Sequence, residues 1–199
     1  MGFSGFSEMQ RLFRDSYVGG WPDYTTRLDH LREKGDESAS SLLAEFVEAG
    51  RSSLAILLIS VDTRQLDEAV LALAGARTVH IVGLRRSFPI ASYLAYAFEK
   101  MKVPAVLHSA VGGLGNISAI ASDDALIAIT FSPYSTETLE LAETARANGI
   151  PVVALSDSAV TPLRKSGATL LTVTEIDFGA FRSLSATLCL AITLAVASA

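Results

Sequence analysis

The sequence contains very little cysteine: Cys189 is the only one in 199 residues. No disulfide can form within the chain, and no metal site can be built from several thiolates. A chain of this kind fits a reducing compartment, so we expect a cytoplasmic protein. Nothing else in the sequence indicates a metal ion or a cofactor, and we expect neither.

Positive charge is also scarce. The 16 Lys and Arg residues are outnumbered by 21 Asp and Glu residues, and the formal net charge is −5. The longest cationic cluster is the pair Arg85-Arg86. This balance argues against a chain that holds nucleic acid by its own net field.

Long apolar segments are missing as well. The N-terminus has no apolar core of signal-peptide type. The apolar run 184–199 is interrupted by Ser and Thr residues, and a membrane span needs about 20 mostly apolar residues. We therefore expect a buried terminal helix and no contact with a membrane.

Half of the residues are hydrophobic, which is enough for a core with two covered faces. The length fits one domain plus a helical extension, and we place the boundary between 1–34 and 35–199. Apolar residues recur at helical spacing over Ser38–Ile59. A second helix is predicted after Asp62, ending at Gly75.

From residue 77 onward, short β-rich runs alternate with helical patterns. The predicted strands are 78–83, 103–109, 125–131, 150–156 and 168–173, and the predicted crossover helices are 92–102, 135–148 and 160–166. The strands are apolar almost throughout, as is typical of parallel strands covered on both sides. We predict a three-layer α/β/α fold whose five-stranded parallel sheet has the flavodoxin-like order 2-1-3-4-5.

Ligands of such sheets bind beyond the carboxyl ends of the strands, where the strand order reverses. Hydroxyl-rich turns follow the first and third strands, at 83–89 and 130–137. Ser132 is predicted to be an N-cap with Pro133 as the first helical residue, which would direct the next amides at an anion. Each turn taken alone is more often structural, since a Ser-Pro pair is commonly only a cap.

These turns resemble those of the SIS domain found in sugar-phosphate isomerases and in RpiR-type bacterial transcriptional regulators. Gly83 and Ser87 match the glycine-rich turn of that family. Ser132 and Ser135 match the second serine and the threonine of its Ser-x-Ser-Gly-x-Thr phosphate loop, with Thr130 in place of the first serine. The resemblance covers residues 38–199 and implies the SIS fold and a sugar phosphate or other small anionic metabolite as ligand.

The sequence also departs from the family pattern. Arg85 and Arg86 stand where the family has glycine and alanine, and Pro133 stands where the loop has glycine. The arginines could grip a phosphate bidentately, fill the space of a sugar, or reach a dimer partner. The candidate ligand-binding residues are Gly83, Arg85, Arg86, Ser87, Ser132, Tyr134, Ser135 and Thr136.

The first 16 residues resemble the stretch after the recognition helix in the helix-turn-helix domain of RpiR-type regulators. On this resemblance the chain begins one helix too late, and operator DNA would be contacted only through missing N-terminal helices. The alternative is that these residues form an ordinary amphipathic helix packed on a neighbour.

Isomerisation of an aldose to a ketose needs a general base, and candidates are few. The groups considered are His30, His80, His108, Glu137 and Glu175. The histidines fit structural positions, and Glu175 is the best remaining acid. No acid and base pair falls on the two ligand turns, so no residue is assigned as catalytic. The glycines at 112–115 lack the setting after the first strand that dinucleotide binding requires.

Three hypotheses follow for the function. The favoured one is an effector-sensing domain of a transcriptional regulator, which binds its ligand without turnover. The alternatives are a sugar-phosphate isomerase and a dimerisation module whose pocket is blocked by the arginines. The apolar stripe of Ser38–Ile59 and the face of Ser92–Phe98 predict a symmetric homodimer or higher homo-oligomer.

Overall fold

A computed structural model describes residues 25–26, 28–29, 38–109, 120–178 and 181–199. The predicted N-terminal helical segment therefore lies largely outside the described residues. So do the glycines at 112–115 and His30.

Two helices precede the sheet, and both begin at side chains that cap them. Helix α1 spans Ala39–Ser60, and the Ser38 hydroxyl accepts the Ser41 amide at 3.1 Å. Helix α2 spans Thr63–Ala74, and the Asp62 carboxylate accepts the amides of the first turn. Capping of this kind satisfies amides that have no partner inside the helix.

Five parallel strands form the central sheet. They are β1 (Val79–Gly83), β2 (Ala105–His108), β3 (Ala125–Ile129), β4 (Val152–Ser156) and β5 (Thr169–Thr172). The order β2-β1-β3-β4-β5 confirms the predicted topology. Strands β1, β3 and β4 are buried along their whole length, which is why their sequences show no polar alternation.

The connections differ from the predicted ones at several places. Helix α3 spans Phe88–Lys100, so it begins four residues before the predicted start at Ser92, with Pro89 in its first turn, where a proline needs no hydrogen-bonded amide. Helix α4 spans Thr136–Ala147. The predicted helix at 160–166 is a short 3-10 helix, Pro162–Ser166, ended by Gly167 in a left-handed conformation.

A two-stranded antiparallel hairpin follows the sheet and was not predicted. Its strands are β6 (Asp177–Phe178) and β7 (Phe181–Arg182), and the ring of Phe178 packs edge-on against Phe46 of α1. Helix α5, Ser185–Ser198, then ends the chain. Its buried face includes Leu190 and Leu194, which confirms the predicted buried terminal helix.

Hydrophobic residues cover both faces of the sheet, giving three layers. On one face Ile81, Ile127 and Leu155 pack with residues of α2, α3 and α5. On the other face Val82, Leu126 and Ala128 pack with residues of α4 and of the 3-10 helix. Among the described helices, none is long and apolar enough to cross a membrane.

Candidate functional site

A cavity of about 250 Å³ lies at the carboxyl edge of the sheet. Residues that directly follow four of the strands line it, together with residues of the hairpin and of the start of α5. These are Arg86, Pro89, Phe131, Asp157, Val173, Glu175, Phe181, Arg182, Ser183 and Leu184. The cavity therefore lies where an open parallel sheet binds its ligands.

The turn after β1 separates the two adjacent arginines. Residues Arg85–Ser87 form a 3-10 turn in which Arg85 has a left-handed φ of 55°. The Arg85 side chain is 69% exposed and lies 3.8 Å from Glu137. The Arg86 guanidinium instead donates to the Ser132 carbonyl and lies 5.7 Å from the centre of the Phe131 ring. Arg86 therefore lines the cavity, whereas Arg85 faces solvent.

Gly83 and Ser87 pack closely against each other and against α3. A Cβ atom on Gly83 would lie 3.1 Å from both the Ser87 carbonyl oxygen and the Ala91 Cβ. Ser87 is itself only 3% exposed. The glycine is thus required for the close approach of the turn and α3 to the end of β1.

The predicted helix start in the loop after β3 is wrong. Ser132 is not an N-cap and Pro133 is not helical, because α4 begins at Thr136 with Ser135 as its N-cap. The Ser135 hydroxyl accepts the Thr138 amide at 3.2 Å and donates to Glu137 at 2.7 Å. These local bonds fix the cap three residues later than predicted.

Ser132 is held in the loop through its backbone. Its carbonyl accepts from Arg86, and its amide donates to the two oxygens of Asp157 at 3.1 and 3.3 Å. The Thr130 hydroxyl accepts the Ser135 amide at 2.9 Å, which closes the loop from within. The amide of Ser132 therefore has a carboxylate partner in the described structure.

Asp157 forms the centre of a partly buried polar cluster that the sequence analysis missed. The Arg182 guanidinium donates to its carboxylate at 2.8 Å, and the side chains of this pair are 10% and 14% exposed. Burial and the charge of Asp157 raise the pKa of Tyr134. Position after β4 could have indicated Asp157, whereas nothing in the sequence indicated Arg182.

Glu175 also lines the cavity, and one of its oxygens has a structural role. Its Oε1 accepts both the amide and the hydroxyl of Thr187 at 2.7 Å, which anchors the first turn of α5. Its Oε2 is buried and has no hydrogen-bond partner among the described residues. A hydroxyl or ammonium donor in the cavity could satisfy this oxygen.

The remaining predicted residues of the loop after β3 and of the start of α4 do not line the cavity. Tyr134 is half-buried, and Thr136 is exposed as the first residue of α4. Hydrogen bonds from its own amide and from the Ser135 hydroxyl, together with the charge of Arg85, lower the pKa of Glu137. Of the candidate ligand-binding residues, Arg86 lines the cavity, and the 130–136 loop contacts it through Phe131.

The two described histidines belong to a separate network. His80 Nδ1 lies 2.9 Å from His108 Nε2, and His80 Nε2 lies 3.2 Å from Asp124 Oδ2. His80 is buried within β1, and neither histidine lines the cavity. Within the described ranges, no group of three or more His, Cys, Asp and Glu residues is arranged to hold a metal ion.

Comparison with known proteins identifies relatives of the whole fold. A family model described as "SIS domain" matches residues 72–197. The HTH-type transcriptional regulator HexR of Escherichia coli K12 is 25% identical over 177 residues, which are 83% of this chain and 61% of HexR. The chain thus spans less than two thirds of that relative's length.

Two solved structures share the fold. The sugar isomerase domain of an RpiR transcription factor from Sphaerobacter thermophilus has a TM-score of 0.72 at 19% identity, over 78% of this chain and 88% of that chain. The Vibrio vulnificus NanR protein complexed with ManNAc-6P has a TM-score of 0.70 at 24% identity, over 96% of this chain and 72% of NanR.

Proposed function

The chain belongs to the SIS domain family, and on this basis we propose that it is the effector-sensing domain of a transcriptional regulator. In this proposal it binds a sugar phosphate or a similar small anion without turnover, in the cytoplasm and as a homodimer. Its similarity to the regulator HexR supports the regulatory part. The ManNAc-6P bound to NanR supports a sugar phosphate as the ligand class.

The position of Arg86 carries the proposal for the ligand. Its guanidinium lines a cavity at the carboxyl edge of the sheet and contacts the loop that resembles the family's phosphate loop. A guanidinium has five donors and remains charged at any physiological pH, so it suits a phosphate or a carboxylate. The apolar wall of Phe131, Phe181 and Leu184 would contact the carbon atoms of the ligand.

Calorimetry with a panel of sugar phosphates tests this proposal, using Arg86→Ala and its neighbour Arg85→Ala. A hydrogen bond to a charged group contributes about 1.5–3 kcal/mol, so Arg86→Ala should weaken binding about tenfold or more. Arg85→Ala is the matched control, because its side chain is mostly exposed and does not line the cavity. We expect it to change the affinity less than about twofold, given the weak interactions of exposed charges.

Three results would contradict the proposal. If the wild type binds no member of the panel, it is not a sensor of this ligand class. Tighter binding by Arg86→Ala would favour the dimerisation module whose pocket the arginine blocks. Steady conversion of an aldose phosphate to a ketose phosphate, followed by NMR, would favour an isomerase.

The isomerase alternative has one structural observation in its favour. Glu175 Oε2 is buried beside the cavity and has no partner among the described residues, so it could accept a proton from a bound sugar. The other oxygen is held by Thr187, which would keep the carboxylate in place. A sensor would use the same oxygen to accept a sugar hydroxyl, and the assay for turnover separates these two roles.

A further inference from the structure

The donors around Asp157 form the set that an oxyanion site requires. The Ser132 amide and the Arg182 guanidinium both donate to its carboxylate. One backbone amide and one guanidinium converging on a single point would also suit a phosphate oxygen. In this protein their common acceptor is one of its own side chains.

Asp157 and its two donors come from three separate parts of the chain. Ser132 follows β3, Asp157 follows β4, and Arg182 belongs to the hairpin after β5. All of them meet at the carboxyl edge of the sheet, and Asp157 and Arg182 line the cavity there. This position favours a role at the ligand site over a purely structural ion pair, which contributes little net stability when buried.

We infer that Asp157 is an internal competitor of the anionic ligand: its carboxylate occupies the Ser132 amide and Arg182, and an anion binds there by displacing it. This inference rests on the proposed function, since it assigns a specificity-determining residue to the same site. A carboxylate left beside a bound phosphate would repel it, because two like charges a few ångströms apart interact strongly in a half-buried site. The displacement therefore selects ligands that present enough negative charge to compete.

The Asp157→Asn variant removes the charge and keeps the shape of the side chain. Inorganic phosphate is the probe, and its affinity is measured by calorimetry at constant ionic strength. We expect the variant to bind phosphate about tenfold more tightly than the wild type, which corresponds to 1.4 kcal/mol. Asp123→Asn is the matched control for net charge, since Asp123 is exposed and lies at the opposite, amino end of the sheet; it should leave the affinity unchanged.

The outcomes separate this inference from the proposed function. Equal or weaker phosphate binding by Asp157→Asn would overturn the inference, and sugar phosphate binding by the wild type would still support the sensor. Phosphate binding by the variant alone would support the inference, since the wild-type carboxylate would then block the site. Absence of phosphate binding in both proteins would overturn the inference, whereas the proposed function is decided by the sugar phosphate panel.

A measurement on the wild type avoids dependence on the folding of the variant, which leaves the partly buried Arg182 without its closest carboxylate. If phosphate displaces Asp157, the Ser132 amide exchanges a carboxylate for a phosphate oxygen. Its NMR resonance should then shift during a phosphate titration and saturate with the calorimetric affinity. A Ser132 resonance that stays unchanged at saturating phosphate would refute the displacement.

Discussion

Replacing Asp124 by asparagine tests the energetics of the histidine network. The Asp124 side chain is 1% exposed and accepts the Ala121 amide at 2.8 Å and His80 Nε2 at 3.2 Å. Because the carboxylate can only accept, His80 must donate through Nε2, and in a neutral ring its Nδ1 then accepts from His108. The variant keeps the shape of the side chain but removes the charge that specifies this arrangement.

The expected loss is about 2–3 kcal/mol of unfolding free energy at pH 7. A hydrogen bond to a charged group contributes about 1 kcal/mol more than one between neutral groups, and two such bonds, from Ala121 and His80, lose this advantage. Arg77 adds little to this, because its side chain is 58% exposed. Its guanidinium lies 2.9 Å from Asp124 Oδ1, although its hydrogen bond is directed at Oδ2 at 3.2 Å.

Urea unfolding followed by circular dichroism measures this loss, with Asp123→Asn as the control. Asp123 is adjacent and also pairs with Arg77, but its side chain is 60% exposed, so its variant should lose less than about 0.5 kcal/mol. If Asp124→Asn is as stable as Asp123→Asn, the argument from burial is refuted.

The stability of the folded protein should decrease as the pH falls, because of Asp124 and His108. Burial alone would raise the pKa of Asp124, but the Ala121 amide, His80 and Arg77 outweigh it and lower that pKa below the usual 3.8. The stabilisation is therefore complete above pH 3.8 and is lost as the pH falls through the lower, folded-state value. Burial and His80 lower the pKa of His108, so the wild type should also lose some stability as the pH falls below 6.5.

Two further predictions concern packing. Gly83→Ala should destabilise the protein by about 1–3 kcal/mol in thermal unfolding, because its Cβ would lie 3.1 Å from the Ser87 carbonyl oxygen. Gly75→Ala is the control and should not destabilise the protein, because its nearest contact is 3.4 Å and its backbone conformation is an ordinary one. Light scattering should show a dimer at micromolar concentration, because Leu43, Leu58 and Ile59 of α1 are 64%, 82% and 84% exposed, and a monomer would contradict the predicted homodimer.

Most of the fold follows from patterns that extend over many residues. The uninterrupted apolar strands predict a sheet covered on both faces, and the right-handed crossover rule restricts the orders that these strands can take. Local exceptions were harder to predict. Ser132-Pro133 has the sequence of a helix start, but Ser135 caps α4, because its hydroxyl accepts the Thr138 amide and is supported by Glu137.

The candidate site was only partly predictable, since its side chains meet through tertiary contacts. The rule that ligands bind at the carboxyl ends of strands indicates the loops after β1 and β3, and it applies equally to Asp157 after β4. Arg182 lies in a hairpin with two-residue strands, which is too short to give a periodic pattern. Its role depends on the pairing with Asp157, which no local pattern indicates.

The contrast between Arg85 and Arg86 shows how backbone geometry assigns different roles to identical side chains. Arg85 adopts a left-handed φ of 55°, which costs a residue with a Cβ about 1–2 kcal/mol. This conformation places the Arg85 guanidinium near Glu137 at the surface. The Arg86 guanidinium lies over the Phe131 ring and donates to the Ser132 carbonyl. Arg86 and Asp157 thus both bind the backbone of Ser132, the arginine at its carbonyl and the aspartate at its amide. An anion that takes the place of the Asp157 carboxylate would enter a site whose loop Arg86 already holds in position, so little further ordering of the loop would oppose binding.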